Sequence, residues 1–302
     1  MQLKDRFVDY LHGLQDTICA GLEAVDGTAR FVEDKWERAE GGGGKTRVIS
    51  GGPVFEKGGV NTSVVHGPLP AAMQQAFGVG ESHFFACGLS LVIHPRNPYV
   101  PTVHANWRYF ELYDNAGKRI DCWFGGGSDL TPYYLDEEDG RHFHRTLKET
   151  IDPFGAELYP VYKKHCDEYF ANKHRGNEMR GIGGVFYDYL RPKDDADAEH
   201  LFAFQQANGN AFLQAYTPIA ERRKNMPYGE REQEWQEIRR GRYVEFNLVH
   251  DRGTLFGLKT NGRIESILMS LPPRARWEYN YQPEPGSVEE KMMQYYCPKD
   301  WV

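Results

Sequence analysis

The first two dozen residues repeat apolar side chains at intervals of three and four. The repeating positions are Leu3, Phe7, Leu11, Leu14, Ile18 and Leu22. Such intervals place side chains on one face of a helix, so we predict an amphipathic helix over residues 3–24. Asp26-Gly27 follows it and supplies a stop signal.

Beyond this helix the period of the pattern changes to two. Val32, Asp34 and Trp36 alternate with charged residues, and the segment 46–50 follows beyond Gly41–Gly44. This pattern predicts a hairpin with a glycine tip. Further strands are predicted at 84–94, 101–112, 119–125, 182–189, 242–249 and 253–260. Short loops join several of them, and short joins imply antiparallel neighbours because parallel strands need a crossover.

Helical periodicity dominates the second half of the chain. The predicted helices cover 143–151, 158–170, 201–216 and 230–240, and Ser287 with Glu290 forms a capping box for a last helix. No repeat, low-complexity tract or linker divides the sequence. We therefore predict one α+β domain over residues 1–302, with helices packed on a large antiparallel sheet.

The net charge of -7 over 302 residues limits the classes of partner. General nucleic-acid binding rests on Lys and Arg that neutralise phosphates, so an acidic chain is a poor candidate for it. No apolar stretch approaches the ~18 residues that a membrane span needs, and the charged N-terminus lacks the apolar run of a signal peptide. We expect a cytoplasmic protein that meets any anionic substrate in a local cationic pocket.

Five cysteines are spread along the chain without a CxxC pair. They are Cys19, Cys87, Cys122, Cys166 and Cys297. An odd and widely spaced set argues against a disulfide framework, a zinc ribbon or an iron–sulfur cluster. The cysteine pattern therefore indicates a reducing compartment.

Polar side chains concentrate on one face of two predicted neighbouring strands. His104, Asn106 and Arg108 alternate along one strand, and Ser90 and His94 share a face of the preceding one. If the strands pair, all five groups converge on one patch. Such a patch is expensive to bury against a helix, so it suits a wet pocket in which Arg holds a carboxylate and His moves a proton. The alternative is an ordinary exposed face of an antiparallel sheet.

Two further groups of residues carry weaker signals. Gly43-Gly44-Lys45-Thr46 imitates the end of a phosphate-binding loop, but Ala39 stands where that motif needs glycine and predicted strands flank it. Arg175 and Arg180 precede a glycine-rich strand entry that leads to Asp188. This combination suits a ligand with both acidic and NH groups, and the alternative is a surface salt bridge beside a turn.

Seven longer runs carry specific motifs. They are Trp36–Gly44, Phe55–Asn61, Trp123–Pro132, His174–Gly184, Gly241–Leu248, Asp251–Thr254 and Glu265–Pro272. These runs resemble the oxygen-dependent coproporphyrinogen III oxidase family of bacterial type, and the resemblance extends from about residue 5 to Trp301. It implies a twisted antiparallel sheet sandwiched between helices on both faces, and a homodimer formed through residues 243–278.

The resemblance also implies an activity. Family members convert coproporphyrinogen III to protoporphyrinogen IX in haem biosynthesis: two propionates become vinyl groups, O₂ accepts the electrons, and CO₂ and hydrogen peroxide leave. No organic cofactor is implied, and a divalent metal cation such as manganese is proposed for bacterial members. The radical route to the same product is excluded, because no clustered cysteines exist to hold an iron–sulfur cluster.

Residue by residue, the resemblance implies several site positions. Substrate contacts fall on Ser90, Asn106, Trp107, Arg108, Asn261, Gly262 and Arg263, the proton donor on His104, and the proposed metal ligands on His94, His104, His144 and His174. The spacing of these histidines shows no short-interval pair of the kind that marks a metal site. Asn261 stands where the family pattern has glycine, which puts one contact in doubt. We add Arg175 as a substrate contact and Asp188 as the group that engages the pyrrole NH groups.

Two rival functions stay open on the sequence alone. One is a metal oxygenase with histidine ligands, which metal analysis of the active protein would separate. The other is a tetrapyrrole carrier without catalysis, which an assay for turnover would separate.

Overall fold

A seven-stranded antiparallel sheet forms the centre of the computed structural model, which describes residues 1–259 and 262–302. The strands are β1 Val32–Glu37, β2 Gly42–Ser50, β3 Phe55–Pro68, β4 His83–Pro95, β5 Thr102–Tyr113, β6 Arg119–Thr131, the short pair β7 Ala171–Asn172 and β8 Glu178–Met179, and β9 Gly184–Leu190. Within the large sheet the order is β1-β2-β3-β4-β5-β6-β9. Six of its seven strands therefore follow the chain, as short antiparallel connections require.

Ten α-helices of the described residues surround this sheet. They are α1 Leu3–Asp26, α2 Ala71–Phe77, α3 Glu137–Ile151, α4 Leu158–Tyr169, α5 Asp195–Asn210, α6 Phe212–Arg223, α7 Glu230–Val249, α8 Arg252–Lys259, α9 Ile264–Leu268 and α10 Val288–Met292. The predicted α+β class is confirmed. Nowhere in the described ranges does a helix have both the length and the apolar character that crossing a membrane would take.

One face of the sheet forms the main core. Trp107 packs edge-on against Phe212 of α6, and Phe7 of α1 contacts both Tyr109 and Phe124. All five rings are almost fully buried. Each such side chain stabilises the fold by roughly 1.5–3 kcal/mol relative to exposure, so this face holds the helices in place.

The opposite face is covered only at its two ends. At one end Phe77 of α2 packs on Phe110 and Trp123. At the other end Tyr243 of α7 lies edge-on to His94, and Ser266 of α9 bonds to Thr46 of β2. Helices therefore lie on both faces, as predicted. The part between them, with Ser63, Gly88, Ser90, Asn106 and Arg108, is exposed or half-buried, and we call it the polar strip.

Two predicted strands are wrong. Residues 242–249 continue α7, and 253–260 coincide with α8 as far as Lys259. Both segments are short and apolar-rich, and periodicity alone does not separate a strand from a buried helix in such segments. Helix α7 continues through Gly241. Glycine is needed at this position because the chain approaches closely at Arg276, whose carbonyl oxygen would lie 2.6 Å from an added Cβ.

Other elements also differ from the prediction. The strands β3, β7 and β8 and the short helices α2 and α9 were not predicted, and the helix predicted over 201–216 is two helices that meet at Ala211. The Gly43–Thr46 tract lies inside strand β2. A phosphate-binding loop has to open a helix, so this tract is not one.

Candidate active site

The register of the sheet brings four predicted residues together. Ser90 of β4 stands directly opposite Asn106 of β5, and the next pair along the polar strip is Gly88 with Arg108. Opposite residues of antiparallel strands share a face and lie about 4.5–5.5 Å apart. His104 lies two residues from Asn106 and pairs with Asp129 of β6. The predicted pairing of the two strands is confirmed, but His94, which the same pattern placed in the patch, is fully buried against Tyr243 and contributes no open group to it.

His104 is held by a buried carboxylate. Its Nδ1 lies 2.7 Å from Oδ1 of Asp129, and Phe170 contacts the ring edge-on at 5.8 Å. An ionised carboxylate only accepts hydrogen bonds, so Nδ1 carries a proton. The other ring nitrogen, Nε2, has the Asn106 amide nitrogen 3.4 Å away. Because the side chain is 16% exposed, Nε2 is the nitrogen that can exchange a proton with a ligand.

Asp129 and Arg180 form the ion pair beneath His104. Asp129 was not predicted as a site residue, and Arg180 was predicted only as a candidate ligand contact beside Arg175 and Asp188. The two side chains are each 2% exposed, and Arg180 donates to both carboxylate oxygens at 3.0–3.3 Å. Burial alone would raise the pKa of Asp129, but Arg180 and His104 outweigh it and the pKa is lowered. The guanidinium also lies over the rings of Phe170 and Tyr243 at 4.1 and 4.5 Å. Nδ1 of His104 therefore contacts a carboxylate whose ionised form is favoured by the Arg180 guanidinium.

Arg108 faces the polar strip with little to hold it. Its guanidinium is 3.5 Å from Asp188, and the two side chains are 44% and 21% exposed. An exposed pair of this kind contributes about 0–1 kcal/mol. Both groups are therefore available to a ligand, and the structure places a cation and a carboxylate at the same end of the strip.

Trp107 lies on the other side of the sheet. Its side chain is 1% exposed and packs in the main core against Phe212. Strand alternation places it on that side together with Ala105 and Tyr109. The Trp107 side chain therefore does not face the polar strip, and the substrate contact that the resemblance implies for this residue stays a prediction.

Arg175 is engaged by a carboxylate of α7. Glu245 accepts two hydrogen bonds from Arg175 at 2.7 and 2.9 Å, and further bonds from His174 and Trp277. Burial opposes ionisation of Glu245, but its Arg and His partners lower its pKa to about 2. Arg175 thus ties the loop after β7 to α7, together with Trp277 of the C-terminal region. The structure does not bring it into the polar strip.

Arg263 lies at the outer edge of the same sheet face. Its guanidinium pairs with Asp34 of β1 and donates to Ser266 at 3.2 Å. Asp34 is paired with Thr46 of β2, Thr46 with Asn61 of β3, and Asn61 with Ser90 of β4, so these residues form one line across the sheet. Gly262 donates its backbone N–H to Gly257 at 2.8 Å. Asn261 lies outside the described residues.

The four histidines proposed as metal ligands do not form one site. His94 bonds through its ring nitrogens to Thr102 and to the Ser270 carbonyl, and His144 bonds to Tyr159 and to the Ile182 carbonyl. The ring nitrogens of His174 contact His250 and Glu245. Across residues 1–259 and 262–302 no three His, Cys, Asp or Glu side chains are grouped closely enough to hold a metal ion. The arrangement does not fit a metal centre.

His144 gives acid unfolding a predictable component. Burial, reinforced by Lys163, lowers its pKa from 6.5 to about 3. The unfolded chain therefore takes up a proton near pH 6.5 that the folded protein refuses until about pH 3. The contribution of neutral His144 to the free energy of unfolding is complete above pH 6.5. It declines as the pH falls toward 3, by up to about 1.4 kcal/mol per pH unit.

We expect His144→Gln to flatten that slope between pH 6.5 and 4, because glutamine does not titrate. Urea unfolding at several pH values measures it. His83→Ala, at an exposed histidine of β4, is the control and should leave the slope almost unchanged. Equal slopes for wild type and His144→Gln would contradict the assignment.

Comparison with known protein families agrees with the sequence motifs. The family model described as Coproporphyrinogen III oxidase matches residues 6–301. The match contains every described residue of the polar strip as well as His104, Asp129 and Arg180.

Proposed function

This chain belongs to the coproporphyrinogen III oxidase family, and we propose that it carries out the aerobic oxidative decarboxylation of coproporphyrinogen III to protoporphyrinogen IX. O₂ is the proposed electron acceptor, and CO₂ and H₂O₂ the proposed co-products. The observation that carries the proposal is the convergence of Ser90, Asn106 and Arg108 on an open strip of sheet beside the supported imidazole of His104. A substrate with four propionates would meet a cation, hydrogen-bonding groups and a proton donor on this strip.

The proposed chemistry consumes one proton for each vinyl group. A propionate loses CO₂, and its carbon next to the ring loses a hydrogen together with two electrons. O₂ takes up that hydrogen, the two electrons and one further proton, and becomes H₂O₂. His104 is well built to supply that proton, because an imidazolium would donate through Nε2 while Asp129 stabilises its charge through Nδ1. The porphyrinogen is electron-rich and reduces O₂ itself, so the proposal includes no organic cofactor.

Asp188 and Arg108 share the recognition of substrate in this proposal. The Arg108 and Asp188 side chains lie 3.5 Å apart and are 44% and 21% exposed. A substrate that brings both a carboxylate and pyrrole NH groups can replace this ion pair with one contact to each residue. Arg108 would fork onto a propionate, while Asp188 would accept from the pyrrole NH groups and favour loss of a ring proton. Ser90 and Asn106 lie on the same strip and would orient the carboxylate.

An aerobic assay with coproporphyrinogen III tests the proposal against a carrier function. We expect product that oxidises to fluorescent protoporphyrin, in amounts many times that of the protein. Binding without turnover would identify a carrier. Running the assay with and without a chelator, with metal analysis of the active protein, tests the metal oxygenase alternative.

Arg108→Lys is expected to lower kcat/KM by about ten- to a hundredfold. A charge-assisted contact is worth roughly 1.5–3 kcal/mol, and lysine keeps the charge but not the planar two-pronged geometry. Steady-state kinetics measure the effect. Arg222→Lys is the control, because Arg222 also donates twice to a carboxylate, Asp139, but does so on α6 away from the strip. Equal kinetics for wild type and Arg108→Lys would remove Arg108 from the site.

We also propose a homodimer through residues 243–278. Leu248, Val249 and Ile264 are 40%, 54% and 57% exposed in this region, and contiguous exposed apolar surface usually meets a partner. Sedimentation at micromolar concentration should give twice the chain mass of 34.7 kDa. Val249→Asp should shift it toward the monomer, whereas Ile120→Asp, at an exposed apolar residue of β6, should not. A fully active wild-type monomer would contradict the proposal.

The proposed enzyme is cytoplasmic and uses residues 1–302 as one domain. All five cysteines are free thiols in the structure, which is consistent with a reducing compartment. Reduction should therefore leave the thermal stability unchanged.

A further inference from the structure

Gly88 is a glycine in the interior of a long strand. It lies in the middle of β4, opposite Ser63 of β3 on one side and Arg108 of β5 on the other. Glycine weakens a strand because it packs no side chain and loses more chain entropy on folding. A glycine at such a position needs a reason, which is a special backbone angle, a close protein neighbour or a close ligand.

The first reason is absent at Gly88. Its φ is not among the positive values that favour glycine, in contrast to Gly42 on β2 of the same sheet (φ 88°). Any residue type can therefore adopt the backbone of Gly88. The choice of glycine here has to come from the space beside its Cα.

Packing explains the other glycines of this face and not Gly88. A Cβ at Gly44 would lie 2.5 Å from the Trp36 ring, one at Gly125 would lie 2.7 Å from Asp188, and one at Gly59 would collide with Met269. The three heavy atoms nearest to a Cβ at Gly88 would all belong to β5: the Trp107 carbonyl oxygen at 3.2 Å, and Cγ and Cα of Arg108 at 3.3 and 3.8 Å. These contacts are milder than those at the other three glycines, and the exposed Arg108 side chain can yield by a few tenths of an ångström. Gly88 is half-buried, so part of the space above it is open.

The empty space lies inside the polar strip. Ser90 is two residues along the same strand, and Arg108 is the direct cross-strand partner. A side chain at position 88 would therefore stand between the carboxylate-binding arginine and the serine. The third reason, close approach of a ligand, is the one that this geometry leaves.

We propose that Gly88 is where the tetrapyrrole ring comes closest to the sheet, so that this residue limits the size and tilt of the ring that the site accepts. The inference rests on the proposed function, and it deepens that function by naming a specificity-determining position. The ring lies over Gly88 while a propionate reaches Arg108. A side chain at position 88 lifts the ring off the sheet, whether or not Arg108 holds a propionate.

Gly88→Ala and Gly88→Val test the proposal by coproporphyrin III binding, followed by fluorescence quenching, and by KM for coproporphyrinogen III. Overpacking by one methyl group in a fitted contact corresponds to about 5- to 150-fold weaker binding, and valine should exceed alanine. The melting temperature of Gly88→Ala should equal or exceed that of wild type, because alanine is the better strand residue. Gly13→Ala, at an exposed glycine of α1 with no atom within 4 Å of an added Cβ, is the matched control and should bind like wild type.

A double variant separates contact with the ring from displacement of Arg108. In an Arg108→Ala background, Gly88→Ala should still weaken coproporphyrin binding by a similar factor, because steric contact between the added methyl group and the ring does not require the Arg108 side chain. Loss of the effect in that background would show that position 88 acts through Arg108, and the proposal would fail. Unchanged binding by Gly88→Ala would overturn it, and so would a large fall in melting temperature, which would reveal a structural reason for glycine.

The inference and the proposed function fail separately. If the wild-type protein does not turn over coproporphyrinogen III, the proposed function is wrong whatever position 88 does. If wild type turns over and Gly88→Ala has normal Kd and KM, only the inference is wrong.

Discussion

Replacing His104 by alanine is expected to lower kcat by about 10²–10⁴-fold, the usual loss when a positioned proton-transfer group is removed. The structure supplies the reason, because Nδ1 is committed to Asp129 at 2.7 Å and Nε2 faces Asn106 at the polar strip. The His104 ring can deliver a proton at the polar strip while Asp129 compensates the charge of the imidazolium. Stopped-flow or steady-state assays at saturating substrate measure the change in kcat.

His104→Asn separates proton transfer from a structural role. The asparagine amide can still donate to Asp129 and preserve the packing against Phe170, but it does not exchange a proton near neutral pH. We expect it to be nearly as slow as His104→Ala, with normal thermal stability. The control is His83→Ala on the neighbouring strand, which should be fully active. If His104→Asn and His104→Ala both stayed within about twofold of wild type, far less than such a loss, His104 would not be the proton donor.

Arg180→Met is expected to have the largest effect on stability. It leaves Asp129, which is 2% exposed, without its main counter-charge. Removing one partner of a buried ion pair typically costs about 3–5 kcal/mol, because the remaining charge is buried alone. Urea unfolding at pH 7 measures the loss.

A double variant tests whether that loss comes from the stranded charge. Arg180→Met with Asp129→Asn removes both charges, so part of the stability should return. Arg222→Met is the control at a more exposed arginine, whose side chain is 44% exposed, and it should cost much less. Equal costs for Arg180→Met and Arg222→Met would contradict the account of the pair.

The polar strip could be predicted because strand alternation needs no tertiary information. Once residues 102–110 are a strand, His104, Asn106 and Arg108 must share a face and Trp107 must point away from it. Register with the preceding strand then follows from the short connection between β4 and β5.

Asp129 and Arg180 could not be predicted as partners, because 51 residues separate them. Asp129 ends a glycine-rich run in which no alternation is visible, and Arg180 lies between the short strand β8 and β9. Their pairing depends on β9 joining the sheet beside β6. The sequence offered one signal, an Asp within a specific motif, but nothing that joined it to His104.

Arg175 and three of the four histidines, His94, His144 and His174, differ from the prediction in the opposite way. Each carries groups that suit a ligand, but the fold has already given those groups protein partners. Glu245, 70 residues after Arg175, accepts its guanidinium, and His144 is sealed in the core between Tyr159 and the Ile182 carbonyl. Residue type predicts what a side chain can bind, whereas long-range packing determines what it does bind.

Oxygen dependence is the central claim, and a sealed-cell assay with coproporphyrinogen III tests it most directly. Under air, we expect one O₂ consumed and one CO₂ released for each vinyl group formed, with H₂O₂ appearing in the same amount. Under rigorous anaerobiosis, we expect no protoporphyrinogen and full recovery of activity when O₂ is admitted. Equal turnover with and without O₂ would contradict the proposed reaction.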